Sequence, residues 1–314
     1  MKRMEGKVIL VTGASGFIGA HLVARLSRIA GVKLLLLSRQ YRQSTQHGVL
    51  WLKGELSQLL PGYWQSHGIS HIDYVFHLGA FTPKSSVEAN QIDRVVDDNI
   101  MGTRILLQGL PGKLLRLVFS STLDVYAPPE DGTVTTEGSR VAPGGLYGAS
   151  KLFCESMVSA WSTERGCNHS ILRYGHIYGP GEGQYGKLIP VTIRSLLASQ
   201  APVIFGNGSA LRDYLYVGDA VEATIRAALV EGSIGPVNIV CGESVTQEQI
   251  VRLLIRLTGS SKEIDFVPDR PSGSSFRFDH RLMAKLLGSW PLTGLEEGLA
   301  AEIDAFRSVQ NVQQ

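Results

Sequence analysis

A short apolar run, Val8-Ile9-Leu10-Val11, leads straight into Thr12-Gly13-Ala14-Ser15-Gly16-Phe17-Ile18-Gly19, and apolar residues then recur at helical spacing at Phe17, Leu22, Leu26 and Ile29. Residues 7–11 read as a buried strand and 17–29 as an amphipathic helix, with the glycines as the turn between them. This order constrains the fold more than any other feature of the chain. A strand that feeds a helix through a glycine turn aims main-chain N–H groups from the positive end of the helix. Glycine lets the turn close tightly and lets a pyrophosphate approach the backbone. The spacing is Gly-x-x-Gly-x-x-Gly, one residue longer between the first two glycines than the Gly-x-Gly-x-x-Gly fingerprint. The expected ligand is a dinucleotide, held by Gly13, Ser15, Gly16, Phe17, Ile18 and Gly19.

The rest of the chain repeats the alternation. Residues 32–37, 74–78, 115–120, 170–174 and 237–241 read as further strands, and 87–107 and 146–161 as helical stretches. Strands alternating with helices imply a parallel sheet covered on both faces, an α/β doubly wound fold. After about Gly179 the rhythm changes and Gly and Pro become frequent, which reads as a smaller, interleaved α/β substrate part. The expected division is 1–175 with 212–242 as the dinucleotide-binding domain, and 176–211 with 243–314 as the substrate-binding domain. Residues 310–314 read as a frayed tail.

Bulk properties narrow the setting. The formal net charge is +2 and no block of like charge occurs, which argues against a nucleic-acid binder. Cys154, Cys167 and Cys241 have no metal-ligand spacing, so no metal site is expected and a reducing compartment is. The apolar run at 8–11 is too short for a signal peptide, and no stretch is apolar and long enough to span a bilayer. The expected location is the cytoplasm, away from membranes.

The end of the second strand normally separates the two nicotinamide cofactors. An acidic residue there binds the ribose hydroxyls, and an Arg accommodates a 2′-phosphate. This chain has Leu37-Ser38-Arg39-Gln40, with Arg42 close behind and no carboxylate. A hydroxyl beside a guanidinium suits a phosphate. The expected cofactor is NAD or NADP, with Ser38 and Arg39 favouring NADP(H).

Far downstream stands Tyr147-Gly148-Ala149-Ser150-Lys151, preceded by a hydroxyl-rich strand end at Ser120-Ser121-Thr122. Tyr147 and Lys151 share one helix face. A free tyrosine titrates near about 10, and a neighbouring ammonium lowers that value. The expected roles are Tyr147 as proton donor and acceptor, Lys151 as its tuning charge and ribose contact, and Thr122 as the group that holds the substrate oxygen towards Tyr147.

With these motifs in place, the chain resembles the extended short-chain dehydrogenase/reductase family, in particular its nucleotide-sugar epimerase/dehydratase branch, over nearly its whole length. Val75-Phe76-His77-Leu78-Gly79-Ala80 is similar to the strand end beside the cofactor. Asp98-Asn99-Ile100-Met101-Gly102-Thr103 is similar to the helix with a buried structural Asn. Leu172-Arg173-Tyr174-Gly175-His176-Ile177-Tyr178-Gly179-Pro180-Gly181 is similar to the segment between cofactor and sugar. Arg212-Asp213-Tyr214 and Pro268-Asp269-Arg270-Pro271 are similar to the elements that carry diphosphate-binding arginines. The resemblance implies cofactor contacts at Leu78, Gly79, Ala80 and Tyr174, with Glu55 and Leu56 near the adenine, where Glu55 replaces the usual Asp. It implies sugar or diphosphate contacts at Thr82, Asp124, His176, Arg212 and Arg270. His176 stands where the family often has Asn. Asp124 is either a sugar contact or a capping residue, and the alternative for each Arg is a structural salt bridge.

The implied activity is NAD(P)-dependent hydride transfer at a hydroxyl or keto carbon, C4, of a nucleotide-diphosphate sugar. An epimerase returns the hydride to the other face; a ketoreductase consumes NADPH once. The 4,6-dehydratases carry adjacent Asp-Glu where this chain has Leu123-Asp124, so dehydration is disfavoured. A reductase of other carbonyls and a non-catalytic dinucleotide sensor remain as further readings. The resemblance also implies a homodimer built on the helix that carries Tyr147.

Overall fold

The computed structural model describes residues 1–130, 132–268 and 274–312. Its strands are β1 (Val8–Thr12), β2 (Lys33–Ser38), β3 (Val49–Lys53), β4 (Tyr74–His77), β5 (Arg116–Thr122), β6 (Asn168–Tyr174), β7 (His176–Tyr178), β8 (Val203–Phe205), β9 (Leu211–Tyr216), β10 (Ile234–Ile239), β11 (Ser244–Thr246) and β12 (Asp265–Val267). Seven of them form one sheet in the order β10-β6-β5-β4-β1-β2-β3, every pair parallel. The chain starts in the middle, winds outwards to β3, then returns and winds the other way. This is a doubly wound sheet whose strand order reverses between β1 and β4, where such sheets open a crevice at the carboxyl ends of the strands.

The strands are apolar without a break because both faces are covered. Ile9 and Val11 of β1 and Leu34 and Leu36 of β2 point into one core with Leu22, Leu26, Val217 and Ala220. Leu10, Leu35 and Leu37 point into the opposite core with Trp64, Leu106, Leu107 and Cys154. Two expectations need correction. The edge strand β3 was not anticipated, and the stretch 87–107 is not one helix. It breaks into Ser86–Ala89, Ile92–Arg94, a π-helical segment Val95–Met101 and the α-helix Gly102–Gly109. The helix at Leu146–Arg165 runs one turn beyond its expected end and stops at Gly166 in the left-handed region, φ +60°.

After β6 the chain leaves the large sheet. β7 pairs with β9, and β11 joins β9 from the other side, as a three-stranded sheet; β8 and β12 form a two-stranded one. The helices Leu188–Leu197, Gln247–Thr258 and Leu295–Val312 pack together through Ile189, Ile193, Ile250, Leu254, Leu299 and Ile303. Between these parts the helix Val217–Leu229 returns to the main sheet and delivers β10 to its edge. Among the described residues, no helix is long and apolar enough to cross a membrane.

Candidate active site

A cleft of about 1220 Å³ opens over the carboxyl ends of β1, β2, β4, β5 and β6. The glycine turn forms its floor. Gly13 sits at φ +69°, and a Cβ there would come within 2.7 Å of the Gly79 nitrogen; a Cβ on Gly19 would overlap the Gly13 carbonyl oxygen. Side chains at either position would push apart β1, the β4 end and the helix Phe17–Leu26. That helix has Gly16 at its N-cap and no side-chain cap, so its first N–H groups are left for a ligand at the cleft. The residues present therefore fit the pyrophosphate of a dinucleotide.

A buried neutral chain braces the turn. The Thr12 hydroxyl accepts from the Gly79 N–H (3.0 Å) and lies 2.7 Å from His77 Nδ1, while His77 Nε2 lies 2.9 Å from the Thr103 hydroxyl. Burial, with Lys151 nearby, pushes the His77 pKa down to about 3, so the ring stays uncharged. Further along the cleft lie Ser15, Ile18, Ser38, Arg39, Glu55, Leu56, Leu78 and Ala80. The Ser38 hydroxyl accepts from the Gln40 N–H at 3.3 Å, which shapes the turn that presents Arg39.

Tyr147, Lys151, Thr122, Asp124 and Thr82 line the other half of the same cleft. Their protonation corrects one expectation. Burial, reinforced by Asp124 and Tyr185 and opposed by a hydrogen bond with Thr82, holds the Tyr147 phenol up at about 12. Lys151 does not depress it here. The Lys151 ammonium donates to the Ser120 carbonyl (2.6 Å) and lies 4.8 Å from the centre of the Phe119 ring, and burial pushes its pKa down to about 8. The Thr122 hydroxyl accepts from the Asp124 N–H at 3.2 Å and caps the turn Leu123–Val125. Asp124 lies on the cleft wall; desolvation raises its carboxyl pKa, with Thr122 and Lys187 opposing.

The arrangement rests on two buried braces. The Asn99 amide accepts from the Phe81 N–H (2.7 Å) and donates to the Phe81 carbonyl and the Ser150 hydroxyl, both at 3.1 Å. It thereby ties the segment that carries Thr82 to the helix that carries Tyr147. Glu155, on that helix, takes a two-point ion pair from Arg173 of β6 (2.9 and 2.7 Å) and also accepts from Ser121 of β5.

Not every anticipated residue converges. Tyr174 reaches the cleft, but its hydroxyl is engaged by Thr224 at 2.6 Å and burial raises its pKa. His176 lines the cleft with its Nδ1 unpartnered, and burial, Arg212 and Lys187 push its pKa down to about 4. Arg212 is not on the cleft wall; its guanidinium donates to the carbonyls of Leu211 and Ser274 and lies 5.7 Å from the Phe276 ring centre. Arg270 lies outside the described residues. Sequence reasoning missed Lys84, Tyr185 and Lys187, which also line the cleft. The only sequence signal for Tyr185 and Lys187 is the Gly179-Pro180-Gly181 turn that leads into their segment, and Lys84 carries none beyond its place two residues after Thr82.

Comparison with known proteins agrees with this geometry. Residues 9–240 match the NAD dependent epimerase/dehydratase family. A UDP-N-acetyl-alpha-D-glucosaminuronate decarboxylase of Bacillus cytotoxicus is 29% identical over 97% of this chain and 99% of its own. The UDP-glucose 4-epimerase of Thermotoga maritima, solved with UDP-glucose, superposes with a TM-score of 0.84 at 28% identity, over 96% of this chain and 99% of that one. The UDP-glucuronic acid 4-epimerase of Bacillus cereus, solved with UDP-glucuronic acid and NAD, gives 0.82 at 25% identity, over 96% and 99%. With the glycine turn, the reversing sheet and the Tyr147–Lys151 wall in one cleft, and with this match over most of its length, the chain belongs to the NAD dependent epimerase/dehydratase family.

Proposed function

We propose that the protein is an NAD(P)-dependent epimerase acting at C4 of a nucleotide-diphosphate sugar, with Tyr147 as the group that takes and returns the hydroxyl proton. One observation carries this reading: the Tyr147 phenol stands in the cleft floored by the glycine turn, beside Thr82, Asp124 and Tyr185. NAD(P), when bound, supplies or accepts the hydride. Thr122 orients the sugar oxygen towards Tyr147, and Lys151 holds the cofactor ribose and the β5 end together through Ser120. A phenol held protonated is ready to donate to a ketone oxygen. To act as a base it must ionise more easily, which an added positive charge beside it favours. Relatives that act on or bind UDP-sugars support the substrate class.

Ser38 and Arg39 favour a second reading, an NADPH-dependent 4-ketosugar reductase, because no carboxylate stands at the end of β2 to take the ribose hydroxyls. Residues 1–175 and 212–242 hold the cofactor in both readings, and 176–211 with 243–314 hold the sugar nucleotide. Three free thiols support a reducing, cytoplasmic setting, and the uncharged outer face of residues 146–160 in the Leu146–Arg165 helix supports a homodimer.

The test begins by denaturing the purified protein and weighing the released nucleotide, then supplying UDP-glucose and resolving the sugar products. Near-stoichiometric cofactor and a C4-epimeric product support the epimerase. An empty protein that binds NADPH far better than NADH, with Arg39→Ala erasing the difference, supports the reductase. In either case Tyr147→Phe lowers turnover by about 10²–10⁴-fold, and a Phe variant that keeps its rate refutes the role of Tyr147.

A further inference from the structure

Two lysines at the reacting end of the cleft have no part in the proton or hydride chemistry. Lys84 follows Thr82 by two residues, and its ammonium lies 5.4 Å from the centre of the Tyr185 ring. Lys187 comes from the segment beyond β7, and its ammonium lies 5.2 Å from the same ring. All three side chains line the cleft. Tyr185 is close enough to Tyr147 to act on its phenol, and Lys187 is close enough to Asp124 to act on its carboxyl. The two cations therefore meet beside the atoms that handle the reacting hydroxyl.

The local charges leave a binding capacity. Lys187 is anchored from behind by Glu182, whose carboxylate is only 2% exposed and lies 2.6 Å from the ammonium. One N–H is thus fixed, a second reaches weakly towards the Ile177 carbonyl at 3.5 Å, and the ammonium carries three. The side chain itself is 46% exposed and lines the cleft. Across the ring, Glu88 accepts the main-chain N–H of Lys84 at 2.7 Å rather than its ammonium. Burial raises the Asp124 carboxyl pKa, with Thr122 and Lys187 opposing.

We propose that Lys84 and Lys187, gathered on Tyr185, read an anionic substituent on the sugar ring, so that the site selects a nucleotide-diphosphate sugar bearing a carboxylate over its neutral counterpart. The inference rests on the nucleotide-sugar reading above. The same two cations could instead grip the substrate's diphosphate. The ring carboxylate is favoured because both lysines belong to the group around Tyr147 and Asp124, where the sugar reacts.

Titration calorimetry of the NAD-loaded protein with UDP, UDP-glucose and UDP-glucuronate separates these sources. Charge-assisted hydrogen bonds of this kind lead to an expected loss of about 10-fold in UDP-glucuronate affinity for Lys187→Met and for Lys84→Met, with changes under about twofold for UDP-glucose and UDP. Lys84→Met leaves the Glu182 pair intact, so it reports even where Lys187→Met disturbs folding. Equal losses on all three ligands, or no loss on UDP-glucuronate, overturn the proposal. A wild type that binds UDP-glucose and UDP-glucuronate alike overturns it too and leaves the nucleotide-sugar reading standing. A wild type that binds none of the three removes both.

Discussion

Tyr147, Lys151 and Thr122 stand in one cleft because a four-residue spacing on a helix and a strand end facing it are local facts. The acidity of Tyr147 depends first on its burial and then on Thr82, Asp124 and Tyr185, which come from three other segments. Lys151 illustrates the energetic consequence. Burial takes its ammonium from the ordinary 10.5 down to about 8. Between those values the unfolded chain binds more protons than the folded one, so stability rises with pH through that window. Below it the full penalty of holding the charge in this site is present, roughly 3 kcal/mol. Lys151→Met is therefore expected to stabilise the cofactor-free protein at pH 7 by roughly 1–3 kcal/mol while abolishing turnover. The gain shrinks as pH rises from 8 towards 10.5. Urea unfolding of both proteins at neutral and alkaline pH checks this, and a gap that does not narrow contradicts it.

At the scale of elements, the sheet was read well because burial on both faces makes each central strand an unbroken apolar run. β3 escaped because it is an edge strand whose residues are buried only in part, Leu52 excepted. The breaks within 87–107 escaped for a different reason: apolar periodicity records a face, whereas a π-helical turn is set by what it must reach. Here it must reach Phe81 and Ser150 through Asn99, and such turns gather at functional sites. Asn99→Ala leaves both Phe81 main-chain groups without their buried partner and is expected to cost about 2–4 kcal/mol. Its sharper consequence is on geometry, since Ser150 also donates to the Tyr147 carbonyl at 2.8 Å. Turnover should fall by about 10²-fold through misplacement of Tyr147 and Thr82, while dinucleotide affinity, held by the glycine turn, stays nearly unchanged. Asn99→Asp keeps the acceptor for the Phe81 N–H and should recover part of the stability. A variant that loses cofactor affinity and turnover together points to general unfolding instead.

At the scale of the whole molecule, the reversal of strand order places the cleft. The small sheets bring the 182–187 segment over it, through pairings between β7, β9 and β11 that no local pattern announces. The same reasoning applies to the outside. Along the helix Leu146–Arg165, the charged residues before Glu164 are Lys151 and Glu155, and both are buried inwards. The outward positions Leu146, Ala149, Phe153, Ser156 and Ala160 recur at spacings of three and four, and Phe153 is 56% exposed. A solvated helix face normally carries charge. An uncharged face over four turns, with an aromatic ring at its centre, fits a second copy of the same face about a two-fold axis, where each surface meets itself. Light scattering should then return twice the mass of one chain. Phe153→Asp would set two carboxylates against each other near the axis and should return the mass of one chain. Because the helix that forms this face also carries Tyr147 inside it, the separated subunits should lose turnover before they lose cofactor binding. A wild type that scatters as one chain at micromolar concentration refutes the dimer and leaves this face to another partner.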